Sequence, residues 1–179
     1  ERERERHGAP RLDEIEWGEF WLKDLFKINR GKRLKKDNHL VGKIPYISST
    51  NLNNGVNNFI SNIENVRFFS NSLSIANSGS VGSTFYHPYT FIASDHITNL
   101  SNHHFNKFSY IFASNLLQNL KEKYFFNREI NDKRIKREKI LLPIDKNGEP
   151  DYKFMENFIK QEMKKQILKI IDYFSKGLD

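Results

Sequence analysis

The last stretch of the chain constrains its fold most. Tyr152, Met155, Ile159, Met163, Ile167, Ile170 and Phe174 recur every three or four residues, so on an α-helix they fall on one face. Asp151 suits the N-cap, because its carboxylate can accept a free N–H of the first turn, and Gly177 suits the stop. At about 1.5 Å per residue such a helix is about 36 Å long, more than the small domain before it needs. Propensity alone stabilises a lone helix poorly, so the face must be buried against something. The stripe could pack wholly on its own domain. Its length, its Met and Ile content, and Glu162 and Gln166 at its edges favour a seam with a second helix. Met155, Ile159, Met163, Ile167, Ile170 and Phe174 are expected to form that seam, with a second copy of the chain as the favoured partner.

The residues before this helix follow another rhythm. Between Lys43 and Leu120 the apolar residues come in short pieces separated by Asn, Ser and Gly. Ile44-Pro45-Tyr46-Ile47, Asn57-Asn58-Phe59-Ile60, Leu73-Ser74-Ile75-Ala76 and Thr90-Phe91-Ile92-Ala93 read as strands. Residues 48–54 with Gly55, and 77–83 with Gly79 and Gly82, read as loops with positive-φ positions. Residues 110–120 (YIFASNLLQNL) read as one buried helix, 140–143 as a strand ended by Pro143, and 146–150 as a turn. The mixed spacing of Trp17, Phe20, Trp21, Leu22, Leu25, Phe26 and Ile28 predicts a short helix or turn leading into a strand, stopped at Gly31. The expected class is therefore α/β. One globular domain over 11–150, with a small twisted mixed sheet and short helices, precedes one long C-terminal helix over 151–179. Residues 1–10, which open on a strictly alternating ERERER, are set aside as a leader or the edge of a longer polypeptide.

Charge narrows the choice of partner. Lys and Arg number 29 against 22 Asp and Glu, a net charge of +7, which favours a polyanion, nucleic acid before membrane. The absence of cysteine excludes a disulfide framework, a thiolate nucleophile and Cys-ligated zinc. Nothing in the sequence reads as a signal peptide or as an apolar run of about 18 residues, so a cytoplasmic protein with no membrane partner is expected.

The order of motifs is more specific than any of them alone. Trp17-Gly18-Glu19-Phe20, Leu25-Phe26 and Gly31-Lys32 are followed by Gly42-Lys43-Ile44-Pro45-Tyr46-Ile47-Ser48 and Asn53-Asn54-Gly55-Val56. Then come Ile75-Ala76-Asn77-Ser78-Gly79-Ser80-Val81-Gly82, Ile140-Leu141-Leu142-Pro143, and Gly148-Glu149-Pro150-Asp151-Tyr152-Lys153-Phe154-Met155-Glu156 leading into the helix. This order, across 17–174, resembles the specificity (S) subunits of type I restriction–modification systems and the recognition domains of related fused type II enzymes. The resemblance implies one α/β target-recognition domain followed by one conserved helix. Full S subunits carry two such units in tandem, their helices packed antiparallel as a spacer; this sequence carries one. It further implies a domain that binds double-stranded DNA and directs a methyltransferase subunit or domain, and in many systems a restriction subunit, without catalysing anything itself. No catalytic residue, metal or cofactor is expected. The chain holds no Asn-Pro-Pro-Tyr and no glycine-rich cofactor loop after a strand.

Base-reading residues of such subunits lie in variable loops, so the resemblance transfers none, and the candidates rest on chemistry. Lys32, Arg33, Lys35 and Lys36, and a second group in Arg128, Lys133 and Arg134, would displace counterions from phosphate; otherwise they form a solvated face. Asn51, Asn53 and Asn54 could bond adenine edges; an ordinary turn favours the same residues. Ser78, Ser80 and Ser83 stand in a glycine-containing loop whose amides could approach phosphate, though a plain hairpin fits as well. Two rival functions remain. His87, His96, His103 and His104, with Asp95, Asn102 and Asn106 nearby, superficially suggest a His-Asn-His metal nuclease, although their spacing does not enforce a ligand geometry. A nucleic-acid-binding module without duplex sequence preference is the third reading.

Overall fold

The structure, a computed structural model, describes residues 11–176. Residues 1–10 and the expected helix stop at Gly177 lie outside the described residues. Three sheets form where one was expected. β1 (Trp17–Trp21) pairs antiparallel with β10 (Lys139–Pro143) as a two-stranded ribbon. A central sheet runs in the order β2 (Lys27–Arg30), β9 (Ile97–Ser101), β6 (Ser72–Ala76), β7 (Thr84–His87), all antiparallel. An outer sheet runs in the order β4 (Val56–Ile60), β3 (Val41–Ile47), β8 (Phe91–Ala93), β5 (Phe68–Phe69). Its β3–β8 pair is parallel, which makes the architecture mixed.

Strand alternation decides which face meets which layer. In the central sheet Leu73, Ile75 and Leu100 point one way, into the main core with Phe112, Leu117 and Met155. On the other face Ala76 and Ile97 meet Ile47, Phe91 and Ala93 of the outer sheet. Ser72, Ser74, His87 and Asn99 are also buried on this second face, and Asn99 Nδ2 donates to Ser72 Oγ at 2.6 Å. Tyr46, Ile60 and Ile92 form a third cluster on the far side of the outer sheet, covered by Leu34 and Val66.

The region 17–28 departs from the expected helix-to-strand order. Trp17–Trp21 is itself a strand, and only the four-residue helical turn α1 (Leu22–Leu25) separates it from β2. The helix expected at 110–120 is α2 (Lys107–Leu117), capped by Asn106, whose side-chain Oδ1 accepts from the Phe108 and Ser109 amides. Two short turns follow, α3 (Leu120–Lys123) and α4 (Asp132–Ile135).

α5 (Tyr152–Ser175) is the long C-terminal helix, and Asp151 caps it by accepting from Phe154 N–H at 2.8 Å. Its first half docks on α2, where Phe112 meets the rings of Phe154 and Phe158 edge-on. The docked face is thus wider than the 3-and-4 stripe suggested, since Phe154 and Phe158 lie outside that stripe. Met155 and Ile159 are buried, but from Met163 onward every apolar residue described is exposed, 43% at Met163 and 65% at Phe174. No helix among the described residues is long and apolar enough to cross a membrane.

Candidate nucleic-acid interface

Strand directions bring the candidate loops to one end of the molecule. β2, β3, β6 and β8 finish there and β4, β7 and β9 begin there, as the pairs Arg30↔Thr98, Ala76↔Ile97, Ile75↔Thr84, Ile47↔Val56 and Ile47↔Ala93 require. The connections 48–55, 77–83 and 94–96 and the first part of 31–40 therefore share one rim. Backbone hydrogen bonds join them: Gly31 N–H donates to Ile97 O at 2.9 Å, Lys32 N–H to Ala93 O at 2.9 Å, and Ser80 N–H to Ser49 O at 3.1 Å. Residues 124–131 join the same rim through Ile130 N–H, which donates to Asn77 O at 3.0 Å.

Gly31 makes the first of these contacts possible. A Cβ there would stand 2.0 Å from the Ser94 carbonyl oxygen, so only glycine lets the basic segment start against the 94–96 turn. Beyond it Lys32, Arg33, Lys35 and Lys36 are all exposed. Arg33, Lys35 and Lys36 share a concavity of about 710 Å³ with His39, Asn57, Asn58, Asp95 and His96. Residues far apart in sequence thus line one basic and amide-rich hollow.

Asn51, Asn53 and Asn54 are exposed beside it. Asn53 (φ 49°) and Asn54 (φ 54°) take the left-handed conformation that Asn tolerates better than most residues. The loop closes where Ser48 N–H donates to Gly55 O at 3.0 Å, holding the asparagines outward on a fixed turn. Arg128, Lys133 and Arg134 are exposed on the segment bonded to Asn77. Arg30 ties this segment to the hollow: its Nε donates to Asp95 O at 2.6 Å and its Nη1 lies 3.6 Å from Asp132 Oδ1.

The 77–83 loop corrects one sequence expectation. Ser78 and Ser83 are buried, and Ser78 Oγ shares a 2.6 Å hydrogen bond with His96 Nδ1, so neither hydroxyl faces a ligand. Four of the loop's amides are engaged internally: the N–H groups of Asn77, Ser80, Gly82 and Ser83 donate to the His96, Ser49, Ala76 and Ser80 carbonyls. Ser80 remains half-exposed. What the loop does is pack on the asparagine loop, because Gly79, at φ 58°, comes so close that a Cβ would meet Ser49 O at 2.7 Å. Sequence reasoning missed Arg30, Asp95 and His39 as rim residues. Each owes its place to strand pairing over tens of residues, and no local pattern carries that information.

The histidines do not converge. His87 is buried, sharing a 2.8 Å hydrogen bond with Ser74 Oγ, and burial pushes its pKa down to about 4. His96 stands before β9 and His103–His104 after it, at opposite ends of a five-residue strand. Among the described residues no three His, Asp or Glu side chains are grouped to hold a metal. The nuclease reading has no geometric support.

Comparison with known proteins places the chain in a family. The family described as type I restriction modification DNA specificity domain matches residues 14–173. The chain belongs to that family. It is 37% identical over 150 residues to the specificity subunit S.BcgI of a type II restriction enzyme from Heyndrickxia coagulans, covering 83% of this chain and 44% of the relative. In fold it is similar to the S subunit of a type I system from M. genitalium, with a TM-score of 0.61 at 17% identity over 93% of this chain and 45% of that one. The S subunit from Thermoanaerobacter tengcongensis gives 0.58 at 15% identity over 89% and 40%. The specificity domain therefore spans less than half the length of these relatives.

Proposed function

We propose that this specificity domain reads the sequence of double-stranded DNA and directs a partner methyltransferase, itself doing no chemistry. The observation that carries this reading is the convergence of the 48–55, 77–83, 94–96 and 124–131 connections and the first part of 31–40 on one rim, with a basic and amide-rich hollow between them. Lys32, Arg33, Lys35 and Lys36 contact phosphates on one side, and Arg128, Lys133 and Arg134 on the other. Asn51, Asn53, Asn54 and Ser80 face base edges, where an Asn amide can bond adenine N6 and N7 together. The partners are a methyltransferase subunit or domain and, in the cytoplasm of a cell carrying the whole system, a restriction subunit. The exposed half of α5 pairs with a second copy.

Selection from a pool of randomised duplexes tests the reading. The chain should enrich one motif over random DNA. Asn51→Ala or Asn53→Ala should change the preference at a single base pair, by about 1–3 kcal/mol. The quadruple Lys32, Arg33, Lys35, Lys36→Ala variant should weaken motif and random DNA alike and flatten the log-salt slope by about 0.9 per lost phosphate contact. Equal affinity of the unaltered chain for all duplexes would sink sequence reading, and an unchanged salt slope would remove the basic segment from the interface.

A further inference from the structure

A tight turn on the same rim carries chemistry that phosphate and base-edge contacts leave unused. Arg128 N–H donates to Phe125 O at 2.7 Å and Phe125 N–H to Arg128 O at 3.3 Å, with Phe126 and Asn127 at the tip. Both arms are anchored: Tyr124 and Ile130 are buried, the Tyr124 phenol donates to Glu138, and the Arg128 guanidinium lies 5.5 Å over the Tyr124 ring. What this firm base holds out to solvent is apolar. Phe126 is 79% exposed and Phe125 55%. Single exposed apolar residues are ordinary, but two consecutive exposed phenylalanines on an anchored tip are not, and they fit an occupant.

Position and charge choose that occupant. The arm after the tip is bonded to Asn77, and the arm before it leads from α3, which lies against Gly82 of the same loop. The tip is therefore continuous with the proposed DNA rim. Arg128, Lys133 and Arg134 are exposed on the segment that follows it, with Glu129 and Asp132 between them, so the aromatic pair stands in a mainly basic frame. A ligand with anionic flanks and an apolar stacked interior matches that frame, which is the chemistry of a DNA duplex. We propose that Phe126, supported by Phe125, is a wedge that enters one base-pair step and partly unstacks it while the flanking cations hold the phosphates on either side. This rests on the DNA-reading function above. Such a wedge adds selectivity without hydrogen bonds, because steps differ in how readily they open.

The test uses the full chain and a duplex carrying its selected motif, with 2-aminopurine placed at successive positions. The unaltered chain should brighten the probe at one step. Phe126→Ala should lose that signal and bind the motif duplex roughly tenfold to a hundredfold more weakly, as loss of one aromatic–base contact implies, with the salt slope unchanged. Phe126→Leu, which keeps an apolar wedge, should retain most of both. Both variants lie at an exposed tip, and matching near-ultraviolet circular dichroism would show that they are folded. A Phe126→Ala chain that binds and brightens the duplex like the unaltered one overturns the wedge. So does a variant that keeps its DNA affinity and loses only methyltransferase binding, since the tip would then be a protein contact. Failure of the underlying function looks different: the unaltered chain itself would select no motif.

Discussion

His87 ends β7 with Nε2 sharing a hydrogen bond with Ser74 Oγ and Nδ1 lying 3.1 Å from the Tyr89 hydroxyl, against the Phe91 ring. Burial disfavours its charged form, so it protonates in the folded protein only near pH 4 rather than near 6.5. The unfolded chain therefore binds a proton first as the pH falls. Stability present at pH 7 should be lost between about pH 6.5 and 4, by up to about 1.4 kcal/mol per pH unit. Urea unfolding of the unaltered chain and His87→Gln at pH 7 and pH 5 checks this. The variant should start lower and fall less steeply, and parallel pH profiles would show that His87 is not the group responsible. At this scale sequence separates residue types but not their exposure. Asn51 and Ser78 both read as polar loop residues, yet Asn51 is exposed while Ser78 is buried under its bond to His96. Only the packing of two loops distinguishes them.

Elements were legible where one local rule governed them. β3, β6 and β8 carry their Ile, Leu and Phe as short apolar runs, and α2 and α5 carry helical spacing. β7 (TFYH) and β9 (ITNLS) do not read as strands in sequence, because they bury polar residues in place of aliphatic ones, His87 and Asn99 in the seam between the sheets and Thr84 and Thr98 on the opposite face beside Ile75. β1 does not read as a strand in sequence, because the mixed spacing of Trp17, Phe20 and Trp21 shows no period of two. Its strand partner β10 lies at the other end of the domain's sequence. The contact between the 48–55 and 77–83 loops is likewise invisible locally, and Gly79 tests its importance. Gly79→Ala meets both a left-handed backbone and the Ser49 carbonyl, whereas Gly148→Ala, at φ 77°, meets nothing within 4 Å. The Gly148 change should cost only the backbone strain, about 1 kcal/mol, and Gly79→Ala about 2–3 kcal/mol with a blurred DNA motif. Urea midpoints that shift equally would mean that the loops can part without consequence.

At the scale of the whole molecule the unresolved balance is the outer half of α5. From Lys160 to Ser175 the helix continues for about 24 Å beyond its last buried residue, Ile159. Surface ion pairs such as Lys165–Glu162 and Lys176–Asp172 line its polar side, but each stabilises a helix by only about 0.3–0.5 kcal/mol. They do little for a face that leaves Met163, Ile167, Ile170, Ile171 and Phe174 in water. An antiparallel helix of the same kind would cover that face, and burying a side chain such as Ile167 contributes about 1.5–3 kcal/mol. A second copy would supply it with two-fold symmetry and would set two recognition rims apart on a palindromic or gapped site. Sedimentation equilibrium of the unaltered chain and of Ile167→Asp, Ile170→Asp decides the point. The unaltered chain should be a dimer at tens of micromolar, and the double variant a monomer whose domain unfolds at the same urea concentration once dimer stabilisation is allowed for. An unaltered chain that stays monomeric, with the double variant equally stable, would mean that this face takes no second copy.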